Sequence, residues 1–174
     1  DLETTGISTR SDRIVQIALL GTDADGASIG MERVVDPRRP IPSDASRIHG
    51  IWDKDVKGAP TFADLADELH DLIEGAVVVG HNVRRFDMGL LAAEYMRLGR
   101  LPPRPKAVMD TLEAARRLKV GRPHNLGSLC SRHGIQLVKA HTAGADALAS
   151  LGLLWRLIEH HPQPFRRSVE DIEQ

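Results

Sequence analysis

The chain has 174 residues, of which 41% are hydrophobic, 27% charged and 3% aromatic, and its formal net charge is −1. This length and composition fit one globular domain and exclude a long disordered or collagen-like chain. The near-neutral charge excludes a basic surface over the whole protein, so any contact with nucleic acid has to be local or mediated by bound cations.

The first part of the chain reads as strands followed by a long connection. Asp1-Leu2-Glu3 resembles the end of a strand, and we expect that strand to begin upstream of residue 1. Residues 13–22 are apolar and β-branched between turn-like segments, which predicts a strand, and 27–35 reads as its hairpin partner. Residues 37–60 form a long connection with a short helical piece at 43–48.

In the rest of the chain, helical spacing of apolar residues alternates with short strands. Residues 76–80 predict a fully buried strand, and a further strand is expected near Val108. The last helix carries Leu148, Leu151, Trp155 and Ile158 along one apolar face. The predicted helices are 61–75, 86–98, 111–118, 126–133 and 143–161.

A hairpin followed by alternating strands and helices predicts an α/β domain with a mixed sheet. Its later strands should be parallel and covered by helices. The domain is expected to span 1–161, followed by a polar tail at 162–174, with no second domain.

Cysteine content and hydropathy predict the compartment. Cys130 is the single cysteine, so the chain has no internal disulfide. We find neither a signal-like segment nor a run of about 18 apolar residues. We therefore predict a cytoplasmic protein that makes no membrane contact.

Four acidic residues lie where a carboxylate needs a partner. In Asp1-Leu2-Glu3 the period of a strand places both carboxylates on one face. Asp87 shares a stripe with Leu90 and Leu91, and Asp146 shares one with Leu153 and Leu157, so both acids are expected to point toward protein. Burying an unpaired carboxylate is costly, which predicts a cation or a basic partner. A solvated surface pair and ordinary acids at helix N-termini are the structural alternatives.

His141 precedes Asp146 by five positions, which favours a place on the loop before the helix, with Thr142 as N-cap. A histidine at the mouth of an acidic site can titrate near neutrality, as a general base must. Because the chain holds eight histidines, an ordinary surface histidine is the alternative.

The motifs that are missing narrow the chemistry. The sequence contains no Walker P-loop, no H-E-x-x-H and no paired C-x-x-C, so the ATPase, zincin and structural zinc classes lack their defining residues. Hard oxygen ligands without thiolates favour Mg²⁺ or Mn²⁺. Two such ions on clustered carboxylates are typical of phosphodiester hydrolysis.

Three segments in order resemble the motifs of the DnaQ-like DEDDh exonucleases, across nearly the whole chain. They are Asp1-Leu2-Glu3-Thr4-Thr5-Gly6, His81-Asn82 through Phe86-Asp87, and His141 through Asp146. Shorter segments similar to the family are Ile48-His49-Gly50-Ile51, Asp110-Thr111-Leu112 and His124-Asn125-Leu126. Thr142 replaces the tyrosine that would mark the sister DEDDy group.

This resemblance implies an RNase H-like three-layer domain, a mixed central sheet flanked by helices. It implies that Asp1, Glu3, Asp87 and Asp146 bind two Mg²⁺ or Mn²⁺ ions and that His141 is the general base. It also suggests that Thr4, Thr5 and Gly6 approach the terminal nucleotide, that His49 borders the base pocket, and that Asn82 and Asn125 touch the substrate. Turn geometry and local backbone hydrogen bonds are the alternatives for these softer assignments.

The expected function is metal-dependent 3′-to-5′ hydrolysis at single-stranded 3′ ends, of DNA more than RNA, with a polymerase as a possible partner. An RNA-specific exoribonuclease and a catalytically idle binding or scaffolding module remain alternatives, and no pattern indicates an oligomeric state. Three residues, Val83-Arg84-Arg85, separate Asn82 from Phe86, where many proofreading subunits have two. The arginine-rich patches at 84–85, 97–104 and 116–122 could guide a phosphate backbone, although solvated helix faces are the usual explanation.

Overall fold

The computed structural model describes residues 1–137 and 141–166. The strands are β1 (Leu2–Thr4), β2 (Ile14–Thr22), β3 (Ser28–Val34), β4 (Val77–Gly80) and β5 (Ala107–Asp110). The α helices are α1 (Ser43–His49), α2 (Phe62–Ile73), α3 (Asp87–Arg97), α4 (Thr111–Arg117), α5 (Leu126–Arg132) and α6 (Ala143–His160). Each predicted strand and helix is present within a few residues of its expected bounds.

The strands combine antiparallel and parallel pairing, which confirms the predicted mixed α/β class. The order β1-β2-β3 is antiparallel throughout, with Leu2 opposite Ile17. β4 and β5 are parallel, and Gly80 lies opposite Asp110 at their carboxyl ends. Among the described residues these are two separate hydrogen-bonded sheets.

The largest core lies between the antiparallel sheet and the helices α2 and α3. Side chains such as Ile14 and Ile17 of β2 pack there against both helices. Despite the low aromatic content, Phe62 and Tyr95 meet edge to face in this core, with ring centroids 5.2 Å apart. The Tyr95 hydroxyl donates a hydrogen bond to the Ala66 carbonyl at 2.7 Å, so the polar end of this buried ring is paired.

Two predictions about burial are wrong. β4 is not fully buried, because Val77 keeps 45% of its surface exposed. A run of valines is typical of a strand covered on both faces, as in the middle of a parallel sheet. Among the described residues β4 pairs with β5 alone, and Val77 at its start remains exposed to solvent.

The predicted apolar face of α6 is also wrong. Leu148 and Trp155 are 58% and 60% exposed, whereas Leu153 and Leu157 on another face are fully buried. Apolar residues surround most of this helix, and the packed stripe is the one that Asp146 shares with Leu153 and Leu157, as the position of that acid predicts. The choice depends on β2, β4, α4 and α5, which α6 contacts.

One segment at the edge of the domain adds an observation. Phe165, in a short 3₁₀ turn at Gln163–Phe165, packs against the cluster formed by α4, α5 and α6, although its segment reads as a polar tail.

In the part of the chain that the structure describes, every helix is too short or too polar to span a membrane.

A buried carboxylate joins the two acid-bearing halves of the domain. Glu94 of α3 is 2% exposed, and its Oε1 lies 2.6 Å from Arg13 Nε and 3.3 Å from Arg97 Nη1. Arg97 also donates to the Arg10 carbonyl at 2.7 Å. Glu94 therefore holds α3, the start of β2 and the loop after β1 in one arrangement.

Replacing Glu94 with alanine should destabilise the fold strongly. Removing one partner of a buried ion pair typically costs about 3–5 kcal/mol, because the remaining charges lose their counter-ion. Asp67→Ala is the matched control, since Asp67 pairs with Arg100 while 87% exposed, and such pairs contribute about 1 kcal/mol or less. Urea unfolding measures both, and equal losses in the two variants would contradict the role given to Glu94.

Candidate metal centre

The strand β1 presents two carboxylates beside each other. Asp1 and Glu3 are half-buried, whereas Leu2 between them is buried in the core. Pairing with β2 fixes the strand, since the Ala18 N–H donates to the Asp1 carbonyl at 3.0 Å and Glu3 lies opposite Gln16. The two-residue period of the strand thus puts both acids on one face.

Asp146, from the first turns of α6, completes a compact carboxylate group. One oxygen each from Asp1, Glu3 and Asp146 lies within 4.8 Å of the others. The start of α6 is held near β2 and β3, because the Ala143 N–H donates to Gln16 Oε1 at 3.3 Å. At Gly144 a Cβ atom would lie 2.9 Å from Glu32 Oε2, so a small residue permits this close approach.

Asp87, the first residue of α3, is buried and lies next to this group without belonging to the 4.8 Å set. The backbone of Leu2 in β1 lies beside this carboxylate, so the start of α3 adjoins β1. The Asp87 Oδ1 is buried and has no hydrogen-bond partner among the described residues. Asp146 Oδ1 shares that condition.

The carboxyl groups are electrostatically strained. Burial, together with the charges of Asp146 and Asp87, raises the pKa of Glu3 to about 7. Burial raises the pKa of Asp87 to about 6, and burial also raises the pKa of Asp146. Clustered carboxylates that resist ionisation are expected where a cation is the missing counter-charge.

The donor set fits hard divalent cations. All of its atoms are carboxylate oxygens, and two of the buried ones receive no hydrogen bond from residues 1–137 or 141–166. Mg²⁺ and Mn²⁺ prefer such oxygens and retain positions for water or phosphate. The chemistry of this donor set therefore fits divalent cations of this kind.

His141 lies on the loop before α6, as expected, and is exposed. Its backbone adopts a left-handed conformation with φ 65°, and its N–H donates to Asp146 Oδ2 at 3.1 Å. Thr142 occupies the N-cap position. The loop therefore places the imidazole-bearing residue directly beside one acid of the cluster.

In the loop after β1, Asp12 supports Thr5 and Gly6, two of the residues predicted to approach the nucleotide. The sequence did not indicate this role of Asp12. Thr5 Oγ1 donates to Asp12 Oδ1 at 2.9 Å and accepts the Arg13 N–H at 3.0 Å. A Cβ at Gly6 would lie 2.6 Å from Asp12 Oδ2, so glycine lets the carboxylate pack against the loop backbone. The Thr4 hydroxyl donates to the Gly6 carbonyl at 2.7 Å.

His49, at the end of α1, lies against the same strand. It is 8% exposed, and its Nδ1 accepts the Ile51 N–H at 3.1 Å. Burial lowers the pKa of His49, while the backbone of Thr4 opposes that shift. The ring is therefore next to β1, and one local hydrogen bond accounts for its Nδ1.

His81 links the segment that carries Asn82 to the segment that carries Asn125. The His81 Nε2 lies 3.0 Å from the His124 carbonyl, and Nδ1 lies 2.8 Å from Thr111 Oγ1. Asn82 has a left-handed φ of 61°. Asn125 is exposed and its Oδ1 accepts the Ser128 N–H at 2.9 Å, so it also caps α5. Their substrate contacts remain predictions.

Asp110 is a second supporting acid whose role the sequence did not indicate. It is 6% exposed at the end of β5. Its oxygens accept N–H groups of Asn82 at 3.0 Å, Arg84 at 3.2 Å and Leu112 at 2.9 Å. An aspartate directly before a helix predicts an N-cap. The contact of Asp110 with the loop at 81–86 joins residues far apart in the sequence, so no local pattern predicts it.

Comparison with known proteins places the chain among nucleases. A family model described as exonuclease, RNase_T, matches residues 1–154. The PolC-type DNA polymerase III of Halalkalibacterium halodurans is 36% identical over 160 residues, covering 91% of this chain and 11% of that protein. The DNA polymerase III subunit epsilon of Treponema pallidum is 32% identical, covering 92% of this chain and 75% of that protein.

Solved structures share the fold at lower sequence identity. An exonuclease I structure matches with a TM-score of 0.81 and 23% identity, covering 94% of this chain and 40% of that one. An exonuclease X, solved with 5′-overhanging duplex DNA, matches with a TM-score of 0.75 and 24% identity, covering 99% and 95% of the two chains. These matches confirm the RNase H-like architecture.

The family model covers most of the chain, including every acid of the cluster, and the epsilon subunit is similar over most of its own length. The chain therefore belongs to the RNase_T exonuclease family, in the DnaQ-like DEDDh group that its sequence motifs indicate.

Proposed function

We propose that this protein is a 3′-to-5′ exonuclease that hydrolyses the terminal phosphodiester bond of a DNA strand and releases nucleoside 5′-monophosphates. The observation that carries this proposal is the group of Asp1, Glu3 and Asp146 oxygens within 4.8 Å, beside the buried Asp87. The exonuclease domain would comprise residues 1–161.

The four carboxylates would hold two Mg²⁺ or Mn²⁺ ions. Asp1, Glu3 and Asp146 supply the compact group, and Asp87 offers an unpartnered oxygen next to it. When bound, the ions would lower the pKa of a water molecule and offset the negative charge that develops on the phosphate. The exclusive use of carboxylate oxygens favours these hard ions.

His141 would act as general base. It is exposed beside Asp146, from where its imidazole would take the proton of the attacking water. Its loop is joined to Asp146 by a backbone hydrogen bond, so the base and the acid stay in register. Thr4, Thr5, Gly6, His49, Asn82 and Asn125 would surround the terminal nucleotide.

The similar proteins support DNA as substrate and a polymerase as partner. Two of them are named as parts of DNA polymerase III, and exonuclease X was solved with duplex DNA. This chain spans only 11% of the PolC-type relative, so both assignments stay proposals, as does a cytoplasmic location. The alternatives are an RNA-specific exoribonuclease and an idle binding module.

Removing the base or one acid should abolish catalysis and leave the fold intact. We expect Asp146→Asn and His141→Ala each to lower release of mononucleotides from an end-labelled oligonucleotide by about 100-fold or more, because general-base groups contribute roughly 10²–10⁴-fold. Asp25→Asn in the exposed β2–β3 turn is the matched control and should retain full rate. Undiminished cleavage in both site variants, or in excess EDTA, would refute the proposal.

The stability of the metal-free protein should fall as the pH rises. A carboxyl group whose pKa is higher in the folded chain contributes stability below its unfolded pKa, and that contribution is lost as pH rises through the folded value. With folded pKa values of about 7 for Glu3 and about 6 for Asp87, the loss should occur between pH 5 and about pH 8.

Added MnCl₂ should reverse this loss, because cations bind the ionised cluster of the folded state. We expect the melting temperature to rise more at pH 8 than at pH 5, measured by scanning calorimetry with and without the ion. Glu3→Gln should reduce both the pH dependence and the response to manganese. Identical melting curves at the two pH values, with no response to the ion, would show that the cluster is not a cation site.

A substrate comparison separates the remaining alternatives. Under one Mg²⁺ concentration we expect faster shortening of single-stranded DNA and mispaired duplex ends than of short RNA. Faster RNA degradation would establish the exoribonuclease alternative. Failure to shorten any of the three with either metal would favour the idle module.

A further inference from the structure

The loop that joins β4 to α3, residues 81–86, is held in one conformation by contacts with β5 and α4. Asp110 accepts the N–H groups of Asn82 and Arg84 at 3.0 and 3.2 Å. His81 is hydrogen-bonded on both ring nitrogens, and Phe86 packs against the main core at the other end. Side chains on this loop therefore project from a rigid frame that ends at Asp87.

Two consecutive arginines on this loop have opposite environments. The Arg84 guanidinium donates to the Val108 carbonyl at 2.7 Å and pairs with Glu113 at 3.3 Å. Arg85 is exposed, and within the described residues it forms no hydrogen bond or ion pair. The Arg84 guanidinium is bound within the fold, whereas the exposed guanidinium of Arg85 can bind a ligand.

We propose that Arg85 binds a backbone phosphate of the nucleic-acid strand, one of the first three phosphates on the 5′ side of the scissile bond. The inference rests on the proposed exonuclease function and adds a substrate-binding residue to it. It also gives a role to the third residue between Asn82 and Phe86 in the second motif.

Reach supports this assignment. Arg85 precedes Asp87 by two residues, so their Cα atoms lie within about 7.6 Å at 3.8 Å per peptide unit. An extended arginine side chain adds several ångströms, so the guanidinium can reach a strand whose terminal nucleotide lies at the acid cluster. The planar guanidinium donates paired N–H groups that match phosphate oxygens.

Charge balance supports it as well. The protein carries a net charge of −1, and its candidate site is lined by four carboxylates, so a strand approaching the site meets no general attraction. A local cation outside the metal group is needed to hold the strand behind the terminal nucleotide. Arg85 supplies such a charge next to Asp87 and Asn82.

The test is the salt dependence of cleavage. For Arg85→Ala acting on single-stranded oligothymidylate with Mg²⁺, we expect KM to rise by roughly 3- to 10-fold, with kcat changed less than about twofold. A plot of log kcat/KM against log salt concentration should become shallower by about 0.7, the value for one phosphate contact on a single strand. Arg85→Lys should restore most of the slope, because a lysine retains the charge.

Arg100→Ala is the matched control, because it removes an equally charged, partly exposed arginine just beyond the C-terminal end of α3. That end lies roughly 15 Å from Asp87 along the helix, at 1.5 Å per residue. Its slope should equal that of the wild type. Arg84→Ala should instead lower the melting temperature, since Arg84 holds the loop.

A scan with one methylphosphonate linkage locates the contact. Neutralising the contacted phosphate should raise the KM of the wild-type protein and leave the KM of Arg85→Ala unchanged. Such non-additivity is expected when the arginine and the phosphate contact each other directly. An Arg85→Ala slope and KM equal to the wild type would overturn the inference while the exonuclease function stands. If the wild-type protein cleaves none of the oligonucleotides, the proposed function itself is overturned.

Discussion

The main physical constraint in this domain is the burial of several carboxylates in one place, which removes water from around their charges and, at Glu3, adds repulsion from Asp146 and Asp87. Asp1, Glu3 and Asp146 approach within 4.8 Å, Asp87 is buried beside them, and the pKa values of Glu3 and Asp87 rise to about 7 and about 6. No fold gains stability from such an arrangement by itself. The surrounding structure has to impose it, and a cation is the counter-charge that would relieve it.

The means of imposing it are long-range polar contacts. Glu94 links α3 to Arg13 at the start of β2, and Arg97 holds the loop after β1. The Leu2 backbone lies beside the Asp87 carboxylate, so the two acid-bearing elements also adjoin at the site. At the third element, Gln16 fixes the first turn of α6, and His141 bonds to Asp146. The acids thus lie on elements whose relative positions are fixed independently of any bound ion.

Polar groups near the site fall into two kinds, those that are hydrogen-bonded within the fold and those that are not. Asp12 and Asp110 are aspartates near the site, yet their oxygens are filled by hydroxyl and backbone N–H donors. Asp87 and Asp146 instead retain buried oxygens that receive no hydrogen bond within the described part of the chain. The same contrast separates Arg84 from Arg85 on the loop at 81–86. A satisfied group supports the frame, whereas an unsatisfied one in the same neighbourhood is a candidate for contact with an ion or a substrate.

The sequence by itself determined the order and approximate bounds of the strands and helices, the hairpin, and the family to which the three acidic motifs point. These features are local: alternation, helical spacing, caps and short motifs are readable from neighbouring residues. The spacing in α6 indicated two apolar stripes, one with Leu148 and Trp155 and one with Leu153 and Leu157 beside Asp146, and the tertiary contacts show that the second faces the core and that Val77 is exposed. Only the tertiary structure decided that Asp12, Glu94 and Asp110 support the site. Burial and pairing of this kind depend on partners such as Arg13 and Glu94, which are 81 positions apart, and a local pattern carries no information about a partner at that distance.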